Sequence, residues 1–279
     1  CWNGDPTKRP KFKDIVNRLK EHEFLDDTIN EDRFNYYVNY VDNYKDTLTQ
    51  SQYIRPNRKA SKKKTQENSE DVDEVLKQSK TINILNLCHY KKGIVIGKGR
   101  YSEVVRVEQK ETGIIFAAKI SLERVSNEVS KNILSEVNIM MSLNHPSILK
   151  FVGYSPVDFE MAPKPVIITE FSSNGSLQNI INNSSEYPKW NDTKSLIAIY
   201  GIVAGMAYLH EHKILHNDLK PSNILLDDDF HPKIADFGLS QVNDKDTSSK
   251  TSNVKGTPSY IAPEVWDDQK YSEASDMYS

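Results

Sequence analysis

Between Lys213 and Ser240 the chain carries two polar loops, each pinned between short apolar runs: "KILHNDLKPSNILL" and then "PKIADFGLS". Asp218 and Asn223 stand five residues apart in the first loop, and Asp236 follows the short strand "PKIA". Two carboxylates and an amide on adjacent loops supply oxygen ligands for a hard cation such as Mg²⁺ and leave one carboxylate to accept a proton. "GTPSYIAPE", residues 256–264, follows at a distance suited to a mobile loop. Each piece alone can arise by chance, but the full ordered series very rarely does.

Upstream, "GIVIGKGRYSEVVRVEQKETGIIFAAKI" alternates apolar and polar residues and is rich in Val and Ile, which predicts three antiparallel strands with Gly113 in a turn. "SNEVSKNILSEVNIMMSLN" places Val129, Ile133, Val137, Met140 and Met141 on one helical stripe, and "KPVIITEF" reads as a further strand. Beyond Gly175 the apolar segments run at helical length. Strands first and helices afterwards predict an α+β chain of two lobes, not a doubly wound sheet.

The run from Leu196 to Leu209, "LIAIYGIVAGMAYL", is fourteen residues with two glycines. A membrane span needs about 20 residues, so this is a buried core helix. The two cysteines, Cys1 and Cys88, cannot build a disulfide framework and fit a reducing compartment. With a net charge of -3 and no secretory signal, the expectation is a soluble cytoplasmic protein without nucleic acid or membrane as partner. Residues 46–80 are poor in large apolar groups. They hold six basic residues between Arg55 and Lys64, then the acidic "ENSEDVDE". This reads as a disordered, solvated linker; a nuclear import signal or a nucleic-acid patch through Lys62, Lys63 and Lys64 is the rival reading.

Two features remain ambiguous when taken alone. "GKGRYS", residues 97–102, is either a hairpin turn or a glycine-rich loop over phosphates. A dinucleotide-binding turn is disfavoured because the segment opens into a strand. Lys119 in "AAKI", with Glu136 on the following helix, is either a structural ion pair or a lysine held toward phosphate.

In this order the segments resemble the protein kinase family over about residues 88–279. The resemblance implies a two-lobed kinase fold with a β-rich N-lobe and a helical C-lobe that is incomplete at Ser279. It implies ATP and Mg²⁺ as cofactors and a protein substrate with a Ser or Thr acceptor. Ile96, Gly97, Lys98, Gly99 and Val104 then enclose ATP, and Ala117 and Leu225 sandwich the adenine. Thr169 is the gatekeeper, and Glu170 to Ser172 form the hinge. Lys119 holds the α- and β-phosphates, oriented by Glu136. Asp218 accepts the substrate proton, Lys220 neutralises the transferring phosphoryl, and Asn223 and Asp236 hold the metal. Met140, Phe151, His216 and Phe237 form a stacked apolar column.

"HNDLK" with "GTPSY" resembles serine/threonine kinases, and "TEFSSNGSL" resembles the tyrosine-kinase-like group; dual specificity stays open. A non-catalytic kinase-fold scaffold is the alternative function. Asn217 stands where the family has an arginine that pairs with an activation-loop phosphate, and it cannot form that bidentate pair. Phosphorylation of Thr247, Ser248, Ser249, Thr251 or Ser252 is therefore expected not to switch activity through this contact.

The opening "CWNGDPTKRPKF" resembles the last segment of a kinase domain, with Trp2 in the core and Arg9 paired with the glutamate of Ala-Pro-Glu, here Glu264. The expected organisation is the end of a preceding kinase domain over residues 1–24, a helical segment and charged linker over 25–87, and a kinase domain over 88–279. A lobe cut at Ser279 is expected to expose the face of Leu196–Leu209. The rival organisation folds Arg9 back onto Glu264, as in a circular permutant.

Overall fold

In the computed structural model, which describes residues 1–21, 26–44, 82–123, 127–242, 254–268 and 270–279, the alternating segment forms three antiparallel strands. These are β1 (Tyr90–Lys98), β2 (Ser102–Gln109) and β3 (Ile115–Ser121). With β4 (Phe151–Ser155) and β5 (Val166–Glu170) they make one five-stranded sheet in the order β1-β2-β3-β5-β4. Gly113 turns the chain between β2 and β3 at φ 70°, a left-handed conformation that glycine adopts without strain.

Strand geometry sends successive side chains to opposite faces. Val105 and Val107 of β2, Phe116, Ala118 and Ile120 of β3 and Ile168 of β5 are buried together in one core. The opposite parity carries Val104, Ala117, Lys119 and Thr169. Val104 stands across from Lys119, and Ala117 across from Thr169. Residues 82–87, expected to belong to the linker, instead run along β4: Leu85 N donates to Tyr154 O, and Tyr154 N to Asn83 O. Helix α3 (Asn127–Ser142) buries Val137, Ile139 and Met140, and also Glu136, so its inward face is wider than the sequence stripe.

The sheet and α3 belong to one compact unit; residues 1–44, 142–150 and 171–279 form the other. The second unit is mainly helical, so the α+β, two-lobed expectation holds. Its axis is α5 (Asp192–Glu211), preceded by the short α4 (Leu177–Asn182). Asn191 caps α5 by accepting a hydrogen bond from Lys194 N at 3.0 Å. No helix among the described residues is long and apolar enough to cross a membrane.

Two helices from the start of the chain, α1 (Phe12–Lys20) and α2 (Glu31–Asp42), pack against α5. Phe34, Tyr37 and Val41 join Leu196, Ile197 and Tyr200 in one apolar cluster. Phe34 meets Tyr200 edge to face, and Tyr37 Oη lies 3.1 Å from Ser147 Oγ. The face of α5 expected to be exposed is thus covered, because the amphipathic stripes of α1 and α2 bury their own apolar residues by covering it. Trp2, expected in the core, is 81% exposed. Of that opening motif Arg9 and Phe12 are buried and Asp5 and Pro6 half-buried, and Asp5 caps a single 3-10 turn, Pro6–Lys8.

Gly201 marks the closest approach of these layers. A Cβ there would stand 2.4 Å from Pro232 Cγ and 2.5 Å from Tyr37 Oη. Alanine would gain up to about 1 kcal/mol of helix propensity, but overpacking costs about 1–3 kcal/mol. The proline ring cannot swing away, so the clash dominates. Gly201→Ala is expected to lower the urea midpoint of the helical unit.

Candidate active site

The first group of candidate residues sits on the sheet. Gly97 and Gly99 lie at the β1–β2 hairpin, where Gly99 N donates to Ser102 O at 2.8 Å and Gly97 faces Val104. A Cβ at Gly97 would meet Val104 at 3.7 Å and one at Gly99 would meet Ser102 at 3.5 Å, both ordinary contacts. Neither residue is left-handed, so the fold itself does not demand glycine here. Bare backbone at this turn leaves N–H groups open to a ligand, as a phosphate loop needs. Ile96 is exposed, Lys98 pairs in register with Glu103, and Tyr101 projects at the tip.

On the sheet face opposite the core, Lys119 Nζ reaches Glu136 Oε1 at 2.8 Å. The lysine side chain is 30% exposed and the glutamate 9%. Val104, Ala117, Lys119 and Thr169 share that face by register. The buried Thr169 donates its hydroxyl to Glu170 O, and Glu170 ends β5. Ser172, one residue into the helical unit, keeps a buried hydroxyl oxygen with no hydrogen-bond partner among the described residues.

The second group occupies two short antiparallel strand pairs of the helical unit: β6 (Ile214–Leu215) with β9 (Gln241–Val242), and β7 (Ile224–Leu226) with β8 (Pro232–Ile234). Between them runs the loop of Asp218, whose carboxylate collects four donors. Oδ2 accepts from Lys220 Nζ at 2.6 Å and Asn223 Nδ2 at 3.1 Å. Oδ1 accepts from Thr257 N at 2.9 Å and Thr257 Oγ1 at 2.7 Å. Lys220 Nζ also donates to Thr257 Oγ1 at 2.6 Å. Asp218, Lys220 and Asn223 therefore come together as expected. Thr257 joins them from the "GTPSY" segment, a partner that no pattern in the sequence marks.

Asn223 commits its Nδ2 to Asp218 O and Oδ2, which leaves Oδ1 as the atom able to ligate a cation. Ala235 N donates to Asn223 O at 2.8 Å, tying the Asn223 loop to the one that begins at Asp236. Asp236 is left-handed, at φ 66°. One carboxylate and one amide oxygen suit Mg²⁺, which takes most of its shell from water and phosphate. No cluster of three or more His, Cys, Asp or Glu residues able to hold a metal occurs among the described residues. Leu225 lies on β7 and bridges to Ser176.

The loop is held from behind by Asp276, which is 1% exposed, on α7 (Glu273–Tyr278). Its carboxylate accepts from His216 N at 2.9 Å and Asn217 N at 2.8 Å, and contacts His210 Nε2 at 2.9 Å. His216 and Phe237 meet at a tilt of 60° with ring centroids 5.4 Å apart, the two members of the expected column that lie in this unit. Asn217, at φ 65°, donates its Nδ2 to Leu239 O at 3.0 Å, while its Oδ1 is buried without a partner among the described residues. The phosphorylatable residues Thr247, Ser248, Ser249, Thr251 and Ser252, and the linker lysines Lys62, Lys63 and Lys64, lie outside the described residues.

Arg9 and Glu264 meet within this one chain. Arg9 Nη1 reaches Glu264 Oε1 at 2.6 Å and Nη2 reaches Oε2 at 2.9 Å. Arg9 also donates to Asn3 O and Ala274 O, and its guanidinium lies 4.9 Å from the Tyr278 ring centroid. Glu264 opens α6 (Pro263–Asp268). Burial pushes its carboxyl upward, but the hydrogen bonds from Arg9 and from its own backbone outweigh this and hold it below its ordinary value.

The Protein kinase domain family matches residues 90–279. The serine/threonine-protein kinase RUNKEL of Arabidopsis thaliana is 36% identical over 66% of this chain, and MAP3K epsilon protein kinase 1 of the same plant is 37% identical over 68%. Receptor-interacting serine/threonine-protein kinase 3 of Homo sapiens is 38% identical over 66%. The alignments span only 13%, 14% and 35% of those relatives' own lengths. Hairpin, lysine–glutamate pair, catalytic-type loop and family match all agree, and the chain belongs to the protein kinase family.

Proposed function

We propose that this domain transfers the γ-phosphoryl of ATP to serine or threonine hydroxyls of a protein substrate. The observation that carries the reading is the Asp218 carboxylate, buried and fixed by Lys220, Asn223 and Thr257. A carboxylate so held is aimed before the substrate arrives, so little reorganisation is left for the transition state.

Each residue has a distinct task. Asp218 orients the incoming hydroxyl and accepts its proton, which requires one of the Thr257 contacts to give way. Lys220 supplies positive charge beside that carboxylate, where the transferring phosphoryl gathers negative charge. Lys119, steadied by Glu136, takes the α- and β-phosphates. Ile96, Gly97, Lys98, Gly99 and Val104 cover the nucleotide; Ala117 and Leu225 take the adenine faces, next to Thr169 and the Glu170–Ser172 hinge. Asn223 and Asp236 would hold Mg²⁺, which when bound neutralises phosphate charge.

Thr257 touching both Asp218 and Lys220 supports a Ser/Thr enzyme, in keeping with the two relatives whose names call them serine/threonine-protein kinases. We place it in the cytoplasm. Asn217 spends its amide on Leu239 O, which supports control that does not pass through an activation-loop phosphate. The test is transfer of labelled γ-phosphate to matched Ser, Thr and Tyr peptides with and without Mg²⁺. Transfer to Ser or Thr alone is expected. Nucleotide binding without transfer would establish the scaffold reading instead.

For residues 1–24 two organisations compete: the end of a preceding kinase domain, or a segment that closes its own chain's helical unit. The Arg9–Glu264 geometry supports the second; a segment that ends one domain of a tandem array would fit the same seat on that domain.

A further inference from the structure

A cavity of about 440 Å³ opens in the helical unit between α2, the loop before α5 and the turn after β7. Its walls bring together three cations from separate segments, Arg33, Lys189 and Lys194, beside Asp228, Asp229 and Phe230. Nothing in the phosphotransfer chemistry uses this place.

Lys194 is the unusual member. It is only 7% exposed, yet its Nζ has no hydrogen bond or ion pair among the described residues. The ammonium instead lies 4.0 Å over the Phe230 ring centroid. A ring face attracts the cation but leaves its three N–H donors directed at the open cavity. Burial, followed by repulsion from Arg33 and Lys189, pushes the lysine below its ordinary value, while Asp229 works in the other direction. Of the two carboxylates, Asp228 is already engaged by the Ser173 hydroxyl. Three cations line the cavity against two carboxylates, so its wall carries net positive charge and suits an anion.

We propose that the cavity binds a dianionic phosphate monoester, with Lys194, Arg33 and Lys189 as its donors and Phe230 as its apolar floor. Arg33 presents the planar fork suited to two phosphate oxygens, and the lysines add point charge. Asp229 is left to accept a hydrogen bond from the rest of the ligand. A phosphorylated side chain of a protein and a small free phosphate share this chemistry, and the volume admits either.

The experiment is calorimetric titration of the 279-residue chain with three probes: a phosphoserine peptide, its unphosphorylated twin and inorganic phosphate. Binding of the phosphoserine peptide but not its twin is expected. Competition by inorganic phosphate at similar concentration would identify a free phosphate as the source, and its absence a phosphorylated protein. Lys194→Met, which keeps the stem on Phe230, is expected to weaken binding on the order of tenfold or more, the factor carried by one charge-assisted hydrogen bond. Arg33 and Lys189 are exposed, so Arg33→Gln with Lys189→Gln tests the site even if Lys194→Met does not fold. Failure of both phosphate probes, or binding unchanged in the folded variants, would overturn the proposal. Asp218→Asn is expected to bind the probes as the parent does, which separates this site from the phosphotransfer reading.

Discussion

Asp218→Asn is expected to lower phosphoryl transfer by about 10²–10⁴-fold, the range that a positioned general base contributes. The two side chains have the same shape, so the loss reports chemistry. An amide neither accepts the hydroxyl proton nor supplies the charge that orients Lys220. It also turns an N–H donor toward other donors, because both carboxylate oxygens now accept from two partners each. One of those contacts must therefore break, and part of the effect would appear as a shift of the loop. A split of the kinetic constants separates the contributions. If kcat falls while KM for ATP holds, the group acts in the transition state, because nucleotide contacts through Lys119 are untouched. A fall of less than tenfold in kcat would remove Asp218 from the catalytic role.

Arg9→Ala is expected to destabilise the helical unit by about 3–5 kcal/mol, the usual result of removing one partner from a buried ion pair. The Arg9 side chain is 0% exposed and that of Glu264 17%. Truncation strands the Glu264 carboxylate and leaves the carbonyls of Asn3 and Ala274 without their donor. Chemical denaturation measures the loss. A change below about 1 kcal/mol, the range of a surface pair, would mean that Arg9 does not sit in this seat in solution. The pH dependence has a definite sign. Glu264 titrates lower when folded than when unfolded. Its contribution is complete above the ordinary carboxylate range and is lost as pH falls through its lowered value. Arg9→Ala should therefore flatten the acid side of the stability profile.

What could be read from the sequence divides by range. The parity that puts Lys119 and Thr169 on one sheet face and Ala118 and Ile168 on the other follows from the two-residue period of strands. The Asp218–Asn223 loop is equally local, since its partners lie within five residues. Thr257 was visible only as part of a motif, because its bond to Asp218 crosses 39 residues. The cover over α5 was not legible: the stripes on α1 and α2 announce that they bury something, but not what. Trp2 misled for a related reason. A motif gives the identity of its residues, while burial depends on which neighbours are there to cover them. Lys194 gave no signal, since its burial arises from segments distant in sequence.

The seat of Arg9 also has a consequence for the order in which the polypeptide is made. Arg9 and Glu264 are separated by 255 positions. At a ribosomal pace of about 5–20 residues per second, the arginine emerges on the order of ten to fifty seconds before its partner exists. Until Tyr200 emerges, Phe34 and Tyr37 have nothing to rest on, and their greasy stripe faces the crowded interior of the cell. Such a nascent chain is a natural client for chaperones that shelter apolar segments, and its yield should depend on them more than that of a domain whose helices emerge beside their neighbours.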